Sequence, residues 1–509
     1  MEGKFGNRQL SLNLIINILA FIIQFTISFY VSPLVVSKVG AVAYGFIGLA
    51  NDFVSYASII TSVFNSVASR FIAKEYYVKN YENANRYFNS LIVANVVISC
   101  ALGLFSVLFV PNITLFVTVP DELLLDVKIT FAIIFLSYIV QLLTMVFTTS
   151  TFVTNRTDIQ GGRNIINNIV RLACIIVFLN FISIRIYWVA LASMIGVSAA
   201  ALLNVRLTKV LTPEISINVK KYANKRYAIT LAKSGIWMAF TSISNVLMRG
   251  LDLIIANKFI STEAMGSLSI ARTMPNHISN IIGTLAPLFT PIFLAAFTAN
   301  RIKDTVKEVN KSVNIMACIM FVPICGFIVF SNDFYTLWQS SLSTEEIRLI
   351  TTLSSITVIQ AFFNSITAPM AQLSVVVNKL KLPVFISFGC GVLNVMVVMF
   401  LLQFTELAVY AIVLSSTVIM VLRYFIFNSF YAAYCLNQKK TVFIGKTIKC
   451  WCSIPALMFF MAFVRNQLPV DSWIALAIDA AICTVIGYMA MFAVYDRESL
   501  VKIVKKIRK

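Results

Sequence analysis

Four arginines, Arg171, Arg249, Arg272 and Arg423, lie within long apolar stretches of this chain. A guanidinium at membrane depth costs a few kcal/mol or more, so it faces a bundle interior or a wet cavity and marks a pathway. Its planar fork matches phosphate oxygens, which makes an anionic group the natural ligand. Arg249 stands three residues before Asp252 on one helix face, so two chemistries compete there: an internal ion pair that staples the helix, or part of a binding path. Asp52 and Asp252 are candidates for cation or proton coupling, and Asn51 adds a polar neighbour to Asp52. His277, the only histidine, titrates near working pH and is a further coupling candidate, with a hydrogen-bonded packing role as the alternative.

Membrane helices must position these groups. The 509 residues are 59% hydrophobic and 12% charged, with mean hydropathy +0.86, which leaves too little polar surface to cover a soluble globule. A transmembrane helix needs about 20 apolar residues. Fourteen stretches qualify: 9–31, 42–66, 87–110, 129–152, 164–181, 187–207, 228–256, 264–293, 312–330, 347–374, 382–404, 407–430, 446–464 and 472–494. The first reads as a retained span and not as a removed signal peptide, because it lacks a small-residue cleavage site. The nine cysteines are scattered without a CxxC pair and indicate neither a disulfide framework nor a metal site. A net charge of +20 reads as basic loops on one side of a bilayer and not as a nucleic-acid surface.

Loop charge tests the span count, because Lys and Arg collect on the cytoplasmic side. With the N-terminus inside, 31 of the 41 Lys and Arg fall in cytoplasmic segments. Only Lys38, Lys128, Arg185, Lys258, Arg348 and Arg465 fall outside. A wrong number of helices would scramble that alternation, so both termini are expected to be cytoplasmic. Arg249 and Arg272 then lie in the outer half of their spans. Arg171 and Arg423 lie nearer the cytoplasmic side, where snorkelling to headgroups competes with a role in the path.

The chain also repeats itself. A shift of 221 places "AYGFIGLA" (43–50) over "AMGSLSIA" (264–271), so Gly45 meets Gly266, and Asn51 meets Arg272. A shift of 223 places Asn155 on Asn378 and Tyr187 on Tyr410. Six spans per copy make the copies parallel repeats. The expected architecture is an all-α polytopic membrane protein of fourteen transmembrane helices, two six-helix lobes (1–208 and 228–433) plus two extra C-terminal helices. A basic linker (209–227) joins the lobes, and 434–509 carries the extra helices and a basic tail. Pro275, Pro287 and Pro291 predict kinks in the eighth span. Asp479 in the last span reads as a local polar contact. Asp121/Glu122 and Glu345/Glu346, at equivalent places in the repeats, read as solvated linkers.

The sequence contains no HExxH, GxSxG or Walker motif, so zinc hydrolase, serine hydrolase and ATPase chemistry have no visible machinery, and no catalytic residue is assigned. A membrane glycosyltransferase or polymerase would be expected to carry acidic groups on a sizeable external loop, and the external loops are short.

"DLIIANKFISTEAMGSLSIA" (252–271), "NANRYFNSLIVANVV" (83–97) and "VTNRTDIQGGRNIINNIVRLACIIVFLNF" (153–181) resemble polysaccharide flippases of the multidrug/oligosaccharidyl-lipid/polysaccharide exporter superfamily, Wzx-type branch. The likeness covers nearly the whole chain and implies flipping of a polyprenyl-pyrophosphate-linked oligosaccharide across the bacterial inner membrane, for capsule, O-antigen or another surface glycan. In that reading Arg249, Arg272, Arg171, Arg423 and Asn51 bind substrate. Asp252, Asp52 and His277 couple to H+ or Na+, and there is no cofactor. Membrane lipids and other glycan-assembly membrane proteins are the expected partners, and nucleic acid is not. The alternative is a cation-coupled multidrug exporter of the same superfamily, against which four intramembrane arginines argue.

Overall fold

The structure, a computed structural model, describes residues 2–467 and 470–495. The basic tail expected beyond these lies outside the described residues. Every element among the described residues is helical, the form in which a chain satisfies its own backbone in lipid. Fourteen helices are long and apolar enough to cross a bilayer: α1 (Ile15–Val39), α2 (Ala41–Tyr77), α3 (Tyr81–Phe109), α4 (Asp121–Val153), α5 (Thr157–Ile182), α6 (Tyr187–Leu211), α7 (Lys225–Phe259), α8 (Thr262–Thr298), α9 (Ile302–Trp338), α10 (Thr344–Val376), α11 (Lys381–Phe404), α12 (Val409–Cys435), α13 (Ile444–Gln467) and α14 (Trp473–Tyr495).

Several helices outrun their apolar stretch. α2 continues to Tyr77, α5 begins at Thr157 and α9 at Ile302, so Arg70, Lys74, Arg163, Lys307 and Lys311 stand on helical turns and not in loops. Hydropathy marks only where a helix meets lipid, whereas the i→i−4 ladder continues into the interface.

The repeat is visible in the helix ends. α2 and α8 start and stop 221 residues apart, and α4 and α10 start and stop 223 apart. The caps repeat as well. Lys79 and Asn300 follow α2 and α8 with φ of 60° and 57°, and Asn155 and Asn378 follow α4 and α10 with φ of 55° and 56°. In each case the next amide reaches back five residues, as Arg156 N does to Thr151 O at 2.8 Å and Lys379 N to Ser374 O at 2.8 Å. This left-handed helix stop suits Asn, whose short polar side chain tolerates positive φ. The acidic residues expected to be solvated linkers begin helices instead: Asp121 and Glu122 open α4, and Glu346 forms a capping box with Ser343 ahead of α10. α8 is broken where its prolines predict, into Thr262–Ala271, Thr273–Leu285, a 3-10 turn Ala286–Phe289 and Thr290–Thr298.

Packing divides the chain into two compact units, residues 1–269 and 270–509. The sequence repeat starts its second copy at α7, yet α7 packs along α2 and therefore groups with the first six helices. That packing is tight because Gly235 has no side chain: a Cβ there would lie 1.8 Å from Val63 O. Gly45 and Gly266, matched by the repeat, pack directly on each other, with a Cβ on Gly45 falling 2.9 Å from Gly266 Cα. In the second unit, α9 packs on α10, α13 and α14 around Phe321, Phe362, Met461 and Cys483. Arg465 of α13 donates to Asp333 of α9 at 2.6 and 3.0 Å. Asp479 of α14 is 1% exposed, and its Oδ2 has no hydrogen-bond partner, which differs from the local polar contact expected.

Two polar clamps hold the basic-loop end of the first unit. Asn13 accepts from Asp158 N and donates to Asn155 O, and Gln9 donates to Asp158, tying the helical turns that lead into α1, part of one helix Glu2–Val39, to the α4–α5 turn. Asp158 also pairs with Arg156, whose guanidinium it holds above its ordinary value by hydrogen bonding. The linker after α6 lies along α3: Asn85 accepts from Ser216 N, Asn89 from Asn218 N, and Ser90 from Asn224 N.

Candidate functional site

Arg249 and Asp252 sit at an interruption of α7. Val246–Gly250 is a π-turn that includes Arg249, and the regular helix resumes at Asp252. A π-turn frees a carbonyl from the helix ladder, and such turns concentrate at functional sites. Here Gly250 O accepts the hydroxyl of Tyr56 from α2. Three residues further along α7, Leu253 Cδ1 lies 3.0 Å from where a Cβ on Gly48 would stand. Gly48, Asp52 and Tyr56 follow one another at i, i+4 and i+8 on α2, so these two contacts bracket Asp52 and place its stripe beside residues 250–253. Asp252 is buried at 8% exposure, and Asp52 and Arg249 are half-buried.

Beside that stripe runs a second one. Asn51 and Ser55, one turn apart, are exposed on α2, and Asn245 is exposed on α7 one turn before Arg249. Exposed amides at membrane depth are expensive against lipid, so this strip marks a wet surface. Asn51 donates to Ile47 O at 2.8 Å, leaving its carbonyl oxygen outward.

Arg171 joins the same unit through α5. It stands ~20 Å along that helix from Thr157 at 1.5 Å per residue, about the middle of the helix. Tyr44 of α2 is close enough to interact with it, and Tyr44 and Asn51 share a face at i and i+7. Arg171 Nε is buried without a hydrogen-bond partner, and no carboxylate pairs with Arg171 among the described residues.

The remaining candidates belong to the second unit. Arg272 occupies the joint between two pieces of α8, its carbonyl accepting from Asn276 N at 3.0 Å, and His277 follows on the next turn; both are half-buried. Arg423 opens a second π-turn, Arg423–Asn428, at the middle of α12. Its Nη1 lies 3.8 Å from Met420 Sδ, its guanidinium carbon 5.8 Å from the Tyr424 ring centre, and its Nε is buried without a partner. None of the nine cysteines is in a disulfide, and no His, Cys, Asp or Glu group among the described residues is arranged to hold a metal.

Sequence reasoning missed the π-turns, Tyr56 and the two clamps. The clamps had a signal, polar residues one turn apart at Gln9/Asn13/Asn17 and at Asn85/Asn89, but the segments that they hold lie far away in sequence.

The MatE family matches residues 17–177. The chain is 25% identical to the uncharacterized membrane protein EpsK of Bacillus subtilis (strain 168), covering 98% of each chain. Among solved structures, an inward-facing multidrug resistance MATE family transporter of the MOP superfamily is similar with TM-score 0.70 at 12% identity, over 84% of this chain and 98% of that one. This chain has the MATE fold. Lipid II flippase MurJ in an inward closed conformation is similar with TM-score 0.66 at 13% identity, over 95% of this chain and 99% of that one. Within the MATE fold described here, the broken helices α7, α8 and α12 each carry one of the intramembrane arginines at their break.

Proposed function

We propose that this protein is an alternating-access transporter that flips a polyprenyl-pyrophosphate-linked oligosaccharide across the bacterial inner membrane for surface-polysaccharide assembly. One observation carries the reading: Arg171 and Arg423 stand near the middle of their helices with buried Nε groups and no carboxylate partner among the described residues. Guanidiniums in that position call for a visiting anion, and a pyrophosphate supplies one with matching oxygens. Arg249, Arg272 and Asn51 extend the anion path, and Asp252, Asp52 and His277 couple it to H+ or Na+. The match to a lipid II flippase over 95% of the chain, against 84% for the multidrug transporter, supports a lipid-linked cargo. The two sequence repeats, 1–208 and 228–433, are joined by the linker 209–227, and 434–509 is an appendix. Both termini lie in the cytoplasm, and other glycan-assembly membrane proteins are partners.

A second reading, a cation-coupled multidrug exporter, is favoured by the higher TM-score of 0.70 and by the two carboxylates Asp52 and Asp252 on the α2–α7 wall. Deleting the gene and identifying the lipid-linked sugars on the inner leaflet separates the two. Accumulation of one lipid-linked glycan, relieved by the wild-type gene and not by Arg171→Gln or Arg423→Gln, is the expected result. Normal surface glycan with heightened drug sensitivity would overturn it in favour of the second reading.

A further inference from the structure

Between α4, α5 and α6, away from the α2–α7 wall, lies a pocket of about 250 Å³. Arg163 is its one charged lining residue. Nη1 of Arg163 donates to Asn204 Oδ1 at 2.8 Å and Nη2 to Asn164 Oδ1 at 2.9 Å, so two amides hold the fork in place. Its Nε is buried and has no hydrogen-bond partner, and no carboxylate pairs with it among the described residues. The nearest acid in sequence, Asp158, is already paired with Arg156.

The other walls add no charge: they supply amide donors and one buried, unpartnered oxygen, Asn167 Oδ1, which can accept from a protonated phosphate oxygen. Gln141 of α4 and Gln160 of α5 line the pocket, and among the described residues no hydrogen bond engages their side-chain amides. Asn164 uses its oxygen on Arg163, which leaves its NH2 group to donate. Small residues of α6, Ala200 and Ala201, form the floor and leave the space open. A fixed guanidinium among carboxamide donors, with no acid to neutralise it, is the donor set of a phosphate site.

Depth agrees with this chemistry. Arg163 stands ~9 Å along α5 from Thr157, and Asn204 ~10 Å before the end of α6, at the end of the bundle that carries the basic loops. The middle of α5 lies ~12 Å further on, so in a hydrocarbon core of ~30 Å this level is a few Å inside the edge of the core, within a side chain's length of the lipid phosphates. We infer that the α4–α6 pocket is a second anion site, separate from the α2–α7 wall, which binds a phosphate group through Arg163 held by Asn204 and Asn164. The phosphate belongs either to an anionic lipid headgroup or to a soluble phosphate, and the site does not depend on the transport reading.

The test reconstitutes purified protein into nanodiscs of phosphatidylcholine, with or without phosphatidylglycerol, and titrates inorganic phosphate into the first kind while recording melting temperature. Phosphatidylglycerol is expected to raise the melting temperature of the wild type. Arg163→Gln should lower the apparent affinity at least tenfold, and Arg163→Lys should retain part of it because it keeps charge without the fork. Arg348→Gln, which removes an exposed arginine near the start of α10 in the other unit, should respond as the wild type does. A response to the lipid alone assigns a headgroup, a response to inorganic phosphate alone assigns a soluble ligand, and a response to both assigns any phosphate group. Should Arg163→Gln not survive purification, Arg163→Lys and Asn204→Ala carry the comparison. No response in the wild type to either ligand, or equal responses in wild type and Arg163 variants, would overturn the inference.

Discussion

Arg249 and Asp252 are separated by the end of a π-turn, so each sits differently from its place in a regular helix. If they only neutralised each other, removing one would leave an uncompensated charge, and removing both would restore stability and export. The α2 contacts at Tyr56 and Gly48 place this segment on a wall with Asp52, which argues for more than a private pair. The double variant Arg249→Leu/Asp252→Asn is therefore expected to melt close to the wild type yet fail to export glycan. Detergent melting curves and a surface-glycan assay on the two single variants and the double variant decide it, and a stable, active double variant would assign the segment to structure alone. Asn51 was legible as a polar intruder in an apolar span. That Tyr56 caps a freed carbonyl was not, because the π-turn leaves no mark on composition.

Helices α2 and α7 hold that wall, and their separation is set by one missing side chain. Gly235→Ala would drive a methyl into Val63 O, so α7 must move off α2. The expected loss is ~1–3 kcal/mol from overpacking, seen as a lower melting temperature together with lost export. Gly283→Ala in α8 is the contrast, since a Cβ there meets nothing within 4 Å. Replacing a helical Gly with Ala in open space should be neutral or stabilising by up to ~1 kcal/mol. The helix stops offer another comparison. Lys79 holds φ 60° without the short polar side chain that makes Asn155 comfortable at 55°. Lys79→Gly should raise the melting temperature, by relieving ~1 kcal/mol of left-handed strain, and Asn155→Gly should change it less.

Across the whole molecule, the alternation of basic and non-basic loops remains the test of how the fourteen helices thread a bilayer. Cysteines placed at the exposed Lys220, in the linker after α6, and at the exposed Ser341, before α10, should label from opposite sides. Replacing the exposed Cys100 and Cys452 with Ser removes the background. The Lys220 site should react only after permeabilisation; labelling of both from one side would break the topology.

Composition and periodicity alone determined that the chain is helical and how many apolar helices it has, because a bilayer accepts few backbone solutions. The repeat was also legible, since equivalent helices need equivalent stops: Asn155 and Asn378 matched before their φ angles were known. Only the tertiary structure decided which unit α7 joins, since that depends on Gly235 meeting Val63, a contact between residues with no chemistry of their own. It also placed Arg171 near the middle of its helix, because the helix begins at Thr157, seven residues before the apolar run does. Arg163, counted among the loop charges by its neighbours in sequence, became a half-buried guanidinium with an enclosed Nε, held by Asn204 of another helix. Hydropathy records how each residue meets lipid, and partners on other helices are invisible to it.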